Sequence, residues 1–515
     1  MHIGIDVGGT NTDAVLMDGE VLVGKIKSPT TPDVTSGIIS CINTLNASKP
    51  NDAEIDAVML GTTHFVNALL QRAGLAHSAA LRLCLPATTM LPPLVDWPDD
   101  LRSSIGGHTY MANGGHEYDG REISPIDEIQ LRTIAKKMND EGVRSVSISG
   151  VFSPVDDSHE KIAADIITSE IPSMNITLSS EIGRVGILER ENAAMLNACL
   201  VEVATTTVAA IQTAMASAGL EAPLFFSQND GTLMQSEFAA QYPVFTIASG
   251  PTNSMRGAAF LSGVLDAVVI DIGGTSTDGG MLVRGFPREA IVAVDVAGVR
   301  TNFRMPDVFS IALGGGTVIK QNPLVIGPES VGFRLTQEGM VFGGDQLTAT
   351  DIAVANGTAG VGDPKLLSDI NASFAQEAIN EIQKRVEEVA DQIKVSSHPV
   401  PVVLVGGGSI LVKNSLEGAS DVLRPSNADV ANAIGAAISQ VGGQVEKVYS
   451  LTEMTREEAL NLAKEEAISK AVDAGADPDS VEIMDIEEIP LAYLPSNALR
   501  VKVKSVGNLD ISKQN

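Results

Sequence analysis

Along the chain, short apolar runs break off into glycine turns. Residues 3–13 read IGIDVGGTNTD and residues 268–278 read VVIDIGGTSTD; aligned on Asp6 and Asp271, six of eight positions are identical. In each copy the apolar residues predict a strand, and Gly-Gly predicts a turn where the backbone must approach something closely. The segments downstream of the two copies also match. AVLMDGEVLVGKIKSPT gives a strand, a turn at Asp18-Gly19 and another strand; GGMLVRGFPREAIVAVDV gives the same order. Each half therefore opens with a three-stranded meander, and helices come next. Mixed three- and four-residue spacing of apolar positions predicts helices over 33–46 and 65–73, and a strand-to-helix step over 54–70. A further strand is expected over 143–152, a long Ala-rich helix over 189–219, and a helix over 373–395 before the strand PVVLV. From 446 the texture changes to a helix (EEALNLAKEEAISKAVDAG) and two strands (VEIMDIEEIPLAYL, ALRVKVKSV). The expected organisation is an α/β chain with lobes over 1–185 and 186–445 and a small αβ tail over 446–515.

Charge narrows the function classes. With 35 Lys+Arg against 64 Asp+Glu, the 515-residue chain carries a formal net charge of −29. It repels phosphate backbones, so a general nucleic-acid binder is not expected. Cys41, Cys84 and Cys199 lie far apart, which argues against a disulfide framework or a CxxC-type metal site. No apolar run approaches the roughly 20 residues that span a bilayer. The N-terminal MHIGID enters a strand directly, without a charged lead. The expectation is a soluble protein of a reducing compartment, the cytoplasm.

The duplicated motif carries the chemistry. An Asp at a strand end, a Gly-Gly turn with exposed N–H groups and two hydroxyl side chains suit phosphate oxygens. The Asp supplies a hard oxygen for Mg²⁺, directly or through water. Two such loops across a cleft would clamp a polyphosphate, and positioning plus electrostatics is most of what phosphoryl transfer requires. There is no GxxxxGK[ST], and no GxGxxG opens a helix after a strand.

The paired loops resemble the phosphate motifs of the actin/hexokinase/Hsp70 superfamily, and the chain resembles the hydantoinase/oxoprolinase family, ATP-binding subunit (hydantoinase A-like) type. The matching stretches include GTTHFVNALLQRAG (61–74), YDGRE (118–122), His159-Glu160, SSEIGRVGILERENAAMLNACL (179–200), NDGTLM (229–234) and SGP (249–251). PDVFSIALGGGT (306–317), GPES (327–330), LTATDIAVANG (347–357) and VGGGS (405–409) come after them in the family's order. The resemblance implies two actin-like ATPase (ribonuclease H-like) lobes facing an ATP cleft. It implies ATP-dependent opening of a cyclic amide or imide of the hydantoin, 5-oxoproline or lactam type, through phosphoryl activation of the amide oxygen. Family relatives activate ketones for carboxylation with the same step. The alternatives are a small-molecule kinase of the superfamily and an ATP-dependent activating subunit for a separate catalytic partner. The resemblance also implies a second subunit and an oligomer.

Carried over residue by residue, Gly8, Gly9, Thr10 and Thr12 would hold phosphates from one side, and Gly273, Gly274, Thr275 and Thr277 from the other. Asp6 and Asp271 would organise Mg²⁺ and serve catalysis. Gly406, Gly407 and Gly408 match the nucleoside loop, and Gly314, Gly315 and Gly316 would line the same cleft. Asp13 and Asp278 are either a supporting layer or strand-edge caps. The sequence departs from the family at FRLTQEGMVFGGDQ (333–346), where a Gly-Pro-Ala-Cys-Tyr-Gly segment is usual, and at Ser310-Ile311-Ala312-Leu313 before the triple glycine. Both bear on the substrate.

Other residues are open to two readings. His64 and Asn67 cap a helix or face the active site. Glu189, Arg190 and Asn197 share a helical face, suited to packing or to substrate. Asp230 is a turn residue or an active-site group. Thr348, Thr350 and Asp351 are candidates to approach the phosphates, but Asp351 also reads as a helix cap. His108 and His116 bracket GGHTYMANGGH without a third metal ligand at a diagnostic spacing. Trp97 is expected to pack, and the acidic helix at 376–391 to face solvent.

Overall fold

A computed structural model describes residues 1–9, 11–29, 34–50, 53–452, 454–491 and 498–510. The two copies of the motif form equivalent meanders. His2–Val7 pairs antiparallel with Asn11–Asp18, which pairs with Val21–Pro29. Ala267–Ile272 pairs antiparallel with Thr277–Val283, which meets the short Phe286–Pro287 strand. The registers coincide: Asp6 lies opposite Asp13, and Asp271 opposite Asp278. On its other side each first strand has a parallel neighbour, Ala57–Thr62 or Val400–Val405. The sequence repeat is therefore a repeat of sheet geometry.

Three sheets organise the described residues. The first lobe's nine-stranded sheet runs Glu482–Leu491, Ala498–Gly507, Gln440–Ser450, Thr232–Gln235, Leu224–Ser227, Ala57–Thr62, His2–Val7, Asn11–Asp18, Val21–Pro29. The second lobe's six-stranded sheet is built around Ala267–Ile272, Thr277–Val283 and Val400–Val405. A four-stranded parallel sheet holds Ser78–Leu85 between His108–Asn113 and Ser145–Gly150, with Asn175–Leu178 at its edge.

The predicted helices stand close to their expected places, at Val34–Ser48, His64–Gln71, Ile187–Ser217, Ala372–Ile393 and Arg456–Asp473. Ala372–Ile393 buries Ala378, Ile382, Val386 and Val389 at helical spacing against the second lobe's sheet and leaves its acidic residues outside. Ile187–Ser217 is the one described helix long and apolar enough to cross a membrane by length and composition, contrary to the expectation that no such run exists. Its first half is buried all round, against the first sheet and the four-stranded sheet, and includes Arg190, Glu191 and Asn197. A helix enclosed by protein on all sides reads as apolar for that reason.

The boundaries expected at 185 and 445 do not follow the sheets. Ile187–Ser217 and the strands Leu224–Ser227 and Thr232–Gln235 belong with the first lobe. Nor is the region after 446 a separate tail: Ala498–Gly507 pairs along the full length of Gln440–Ser450 and extends the first sheet. The alternation in ALRVKVKSV is the reason. Val501 and Val503 pack with Val445 under the helix Arg456–Asp473, while Lys502 and Lys504 turn to the opposite face and bond Glu289 and Asp230. Part of the VEIMDIEEIPLAYL stretch, residues 492–494, lies outside the described residues.

Candidate active site between the two loops

Each motif aspartate closes a strand and is covered by the helix Ser249–Ser262, which crosses between the lobes; Asp6 is buried and Asp271 half-buried. Asn253 Nδ2 donates to Asp6 Oδ1 at 3.0 Å, and the next residue, Ser254, donates through its hydroxyl to Asp271 Oδ2. Asn432 Nδ2 adds a bond to Asp6 Oδ2 at 3.0 Å and to Asp13 Oδ2 at 3.1 Å. Asn432 sits on Ala431–Ala437, which packs on the crossing helix so tightly that a Cβ at Gly257 would lie 1.8 Å from the Ala431 carbonyl.

Burial dominates the electrostatics. It pushes the Asp6 carboxyl up to about 6; Asp13 adds to this, and the amides of Asn253 and Asn432 and the Lys27 charge oppose it. Burial likewise pushes Asp271 up to about 7, against the Ser254 hydroxyl and reinforced by the charges of Asp278, Asp6 and Asp13. Negative charge is thus concentrated where little water screens it. Lys27 meets Asp13 at 2.6 Å and is the nearest compensation on the first side. Asp278 instead accepts from the hydroxyls of Ser310 and Ser276.

The turns themselves match. Gly8 N–H donates to the Asn11 carbonyl at 3.0 Å and Gly273 N–H to the Ser276 carbonyl at 2.9 Å. Gly9 and Thr275 are exposed at the loop tips, and Thr10 lies outside the described residues. Thr12 and Thr277 are buried below the loops, and Thr277 donates to the Leu313 carbonyl at 2.6 Å. Thr277 therefore anchors its loop, a correction to its expected role as a phosphate donor.

The triple glycine is also a support. Gly315 N–H donates to the Gly273 carbonyl at 3.0 Å and Gly316 N–H to the Gly274 carbonyl at 2.7 Å, so these donors are occupied by the loop. A Cβ on Gly314 would lie 2.5 Å from the Thr275 nitrogen. Gly314–Gly316 thus lie beneath the second Gly-Gly loop, where they were expected to line the cleft. Thr350 holds them from below, its hydroxyl donating to the Gly315 carbonyl at 2.8 Å. Asp351 caps its helix through Thr348 and accepts from Val341 N–H at 2.7 Å. In the third glycine loop, Gly406 has φ +82°, and a Cβ there would meet Asp271 Oδ1 at 2.2 Å. A Cβ on Gly408 would meet the Gly273 carbonyl at 2.6 Å, whereas one on Gly407 meets nothing within 4 Å. Of the three, Gly407 faces open space.

The remaining candidates separate. Ala57–Thr62 runs parallel to His2–Val7, and Leu224–Ser227 runs parallel to Ala57–Thr62. The segments leaving these strands, with His64 and Asp230, therefore share one sheet edge with the first loop. Thr63 donates to the Val7 carbonyl at 3.1 Å, and Asn67 bonds the Thr63 hydroxyl at 3.3 Å. Asp230 is buried in an ion-pair cluster; burial favours its neutral form, but Lys504 at 3.0 Å and Arg304 at 3.7 Å hold it well below the usual carboxylate range. Glu189 pairs with Arg300 at 3.3 Å; Arg190 bonds Ser179 and the Val185 carbonyl, and Asn197 bonds the Gln241 carbonyl. Arg190 and Asn197 are buried packing residues, and Glu189 forms an ion pair near the surface. Trp97 is buried and donates to Asn192 at 2.7 Å.

Sequence reading missed Asn253, Ser254, Asn432 and Lys27. The first two lie just after the SGP stretch, in the polar first half of a helix that buries it. Asn432 and Lys27 carried no local signal, since long-range packing creates their roles.

The residues fit a magnesium ion at the level of donor chemistry. Asp6 and Asp271 offer hard carboxylate oxygens, and their raised pKa values mark sites where a cation relieves buried charge. Among the described residues no group of three or more His, Cys, Asp or Glu side chains forms a closed metal site. An ion held here would take its other ligands from phosphate and water.

The fold is a two-lobed α/β architecture, with duplicated loops meeting across a shared helix. The chain belongs to the hydantoinase/oxoprolinase family: residues 2–171 match the "Hydantoinase/oxoprolinase N-terminal region" and residues 190–363 match "Hydantoinase/oxoprolinase". It is 26% identical over 416 residues to caprolactamase subunit alpha of Pseudomonas jessenii, covering 75% of this chain and 58% of that one. It is 26% identical over 390 residues to the acetophenone carboxylase gamma subunit of Aromatoleum aromaticum, covering 69% and 53%. The chain thus spans between half and three fifths of these relatives' length. Among solved structures, the ATP-dependent caprolactamase from Pseudomonas jessenii superimposes with a TM-score of 0.79 at 19% identity, covering 99% of this chain and 88% of that one. Nucleotide-free acetone carboxylase superimposes at 0.71 and 17% identity, covering 100% and 88%. ATP use is common to these neighbours.

Proposed function

We propose that this chain activates the oxygen of a cyclic amide by phosphoryl transfer from ATP, so that water opens the ring. The observation that carries the reading is the pair of aspartates, one from each loop, held toward each other by consecutive residues of one helix. Gly9 and Gly274 present turn backbone to the phosphates, Gly8 and Gly273 close the two turns, and Gly407 faces the open side of the nucleoside loop. Asp6 and Asp271 would hold the magnesium ion, which when bound neutralises charge on the transferring phosphate. Asn253, Ser254 and Asn432 fix the carboxylate orientations before substrate arrives, so that little reorganisation accompanies the reaction.

An amide resists hydrolysis through resonance, and a five-membered lactam recloses readily. Transfer of the γ-phosphoryl group to the amide oxygen breaks the bond to ADP and leaves a good leaving group on carbon. A first water adds to that carbon, the C–N bond breaks with a proton passing to nitrogen and leaves an acyl phosphate, and a second water hydrolyses this to carboxylate and phosphate. Resemblance to caprolactamase subunit alpha supports this substrate class. Resemblance to the acetophenone carboxylase gamma subunit supports a second reading, in which the activated carbonyl is carboxylated with a partner. Both relatives are named as subunits, so a second subunit is part of the proposal.

The test is phosphate release from Mg·ATP with 5-oxoproline, hydantoins and small lactams, using Asp271→Asn as control. Stimulation by one ring, matched by ring-opened product and lost in the variant, supports the amidohydrolase reading. ATP binding without stimulation by any ring directs the work to the carboxylase-type reading, and no ATP binding sinks both.

A further inference from the structure

His77 and His108 stand at the amino ends of neighbouring parallel strands, Ser78–Leu85 and His108–Asn113. They play no part in the nucleotide site. Their Nε2 atoms face each other at 3.1 Å, with ring centroids 4.8 Å apart and planes inclined by 77°. The opposite ring nitrogens decide what lies between them. His77 Nδ1 is 3.0 Å from the Gly142 carbonyl, which only accepts, so Nδ1 carries the hydrogen. His108 Nδ1 is 2.9 Å from Glu141 Oε2, and the same carboxylate also accepts from the Tyr110 hydroxyl. His108 Nδ1 carries its hydrogen as well. Both Nε2 atoms then present lone pairs to each other, a repulsive contact unless a cation sits against the two.

We propose that His77 and His108 form a two-histidine site for a zinc-class divalent ion. Metal-bound imidazoles usually donate their second N–H to a carboxylate or a backbone carbonyl, and these two do one of each. Nitrogens bonded side by side to zinc at about 2.0–2.1 Å stand roughly 3.0–3.4 Å apart, depending on the angle at the metal. Water completes the coordination, since both rings lie near the surface and no third protein ligand is assembled among the described residues. The approach is built into the backbone: Gly106 has φ +85°, and a Cβ there would lie 1.9 Å from His77 Nε2. Glu141 and Gly142, at the end of the helix Glu128–Asp140, orient both rings from one turn. Lys137, at 3.8 Å, faces the other Glu141 oxygen and not the gap between the rings.

The second histidine pair makes the contrast. His116 and His159 have ring centroids 4.2 Å apart, but His159 Nδ1 accepts from Gly115 N–H at 3.0 Å. Its Nε2 therefore carries hydrogen and donates to Glu122 at 3.2 Å. That ring has no lone pair left for an ion.

The test is calorimetric titration of Zn²⁺ into the full-length, tag-free, chelator-stripped protein, repeated with Co²⁺ for its absorption spectrum. One equivalent should bind with micromolar affinity, and His77→Ala and His108→Ala should each weaken it at least about tenfold. His159→Ala should bind as the wild type does. Zinc should raise the melting temperature of the wild type and leave that of the folded His77→Gln and His108→Gln variants unchanged. Binding of equal strength in wild type and variants, or no binding at all, overturns the proposal. So does a nitrogen NMR spectrum of the stripped protein showing a doubly protonated imidazole that zinc does not displace.

Discussion

Asn253 and Ser254 are neighbours in the chain, yet they bond the carboxylates of opposite lobes, Asp6 and Asp271. One helical residue step thus sets the spacing of the two Gly-Gly loops. A rotation of the crossing helix moves both aspartates together, which is the coupling a closing cleft needs.

Asn253→Ala and Ser254→Ala should therefore impair ATP turnover together with stability. Each removes a donor to a buried carboxylate, worth about 1.5–3 kcal/mol, so phosphate release should fall about tenfold or more. Thermal melts with and without Mg·ATP will show whether the ligand recovers part of the loss.

Gly406→Ala and Gly408→Ala should be far more damaging than Gly407→Ala. The first two place a methyl group against Asp271 and the second Gly-Gly loop, and the last points into open space. Overpacking of about 1–3 kcal/mol is expected for the first two. Nucleotide titration of the three variants side by side checks the order.

Asp6 and Asp271 give the metal-free protein an unusual pH dependence. Their folded pKa values, about 6 and about 7, lie above the ordinary aspartate value of 3.8. Between these limits the native state holds more protons than the unfolded state, so stability falls as pH rises through about 4 to about 7. The melting temperature without divalent ions should be lower at pH ~8 than at pH ~5.5. Asp271→Asn should flatten the curve, and Mg²⁺ should stabilise more at the higher pH.

Asp230 behaves in the opposite sense. Lys504 and Arg304 depress its pKa, so its contribution is present above the unfolded value and is lost as pH falls below it. Lys504→Ala leaves a buried carboxylate without its closest cation and should cost about 3–5 kcal/mol. The double variant Asp230→Asn, Lys504→Met should be milder, as chemical denaturation will show.

The sequence disclosed what repeats and what is locally periodic. The meanders at Asp6 and Asp271 were legible because an identical glycine turn comes after an apolar strand in both. The helices Ala372–Ile393 and Ile187–Ser217 were legible from apolar spacing or length. What stayed hidden is long-range. Gly314–Gly316 look like any ligand-binding glycine loop until the Gly273 and Gly274 carbonyls are seen to occupy their N–H groups. Thr277 gives no sign that Leu313 takes its hydroxyl. The alternation of ALRVKVKSV announces a strand, but only the pairing with Gln440–Ser450 reveals which sheet receives it.

That pairing bears on how the molecule is made. The strands of the second lobe's sheet lie between Ala267 and Leu423, in one uninterrupted stretch. The first lobe's sheet needs His2–Val7 and also Ala498–Gly507. On the ribosome, the lobe begun second can close first, while the lobe begun first waits with an open edge for Ala498–Gly507 to emerge.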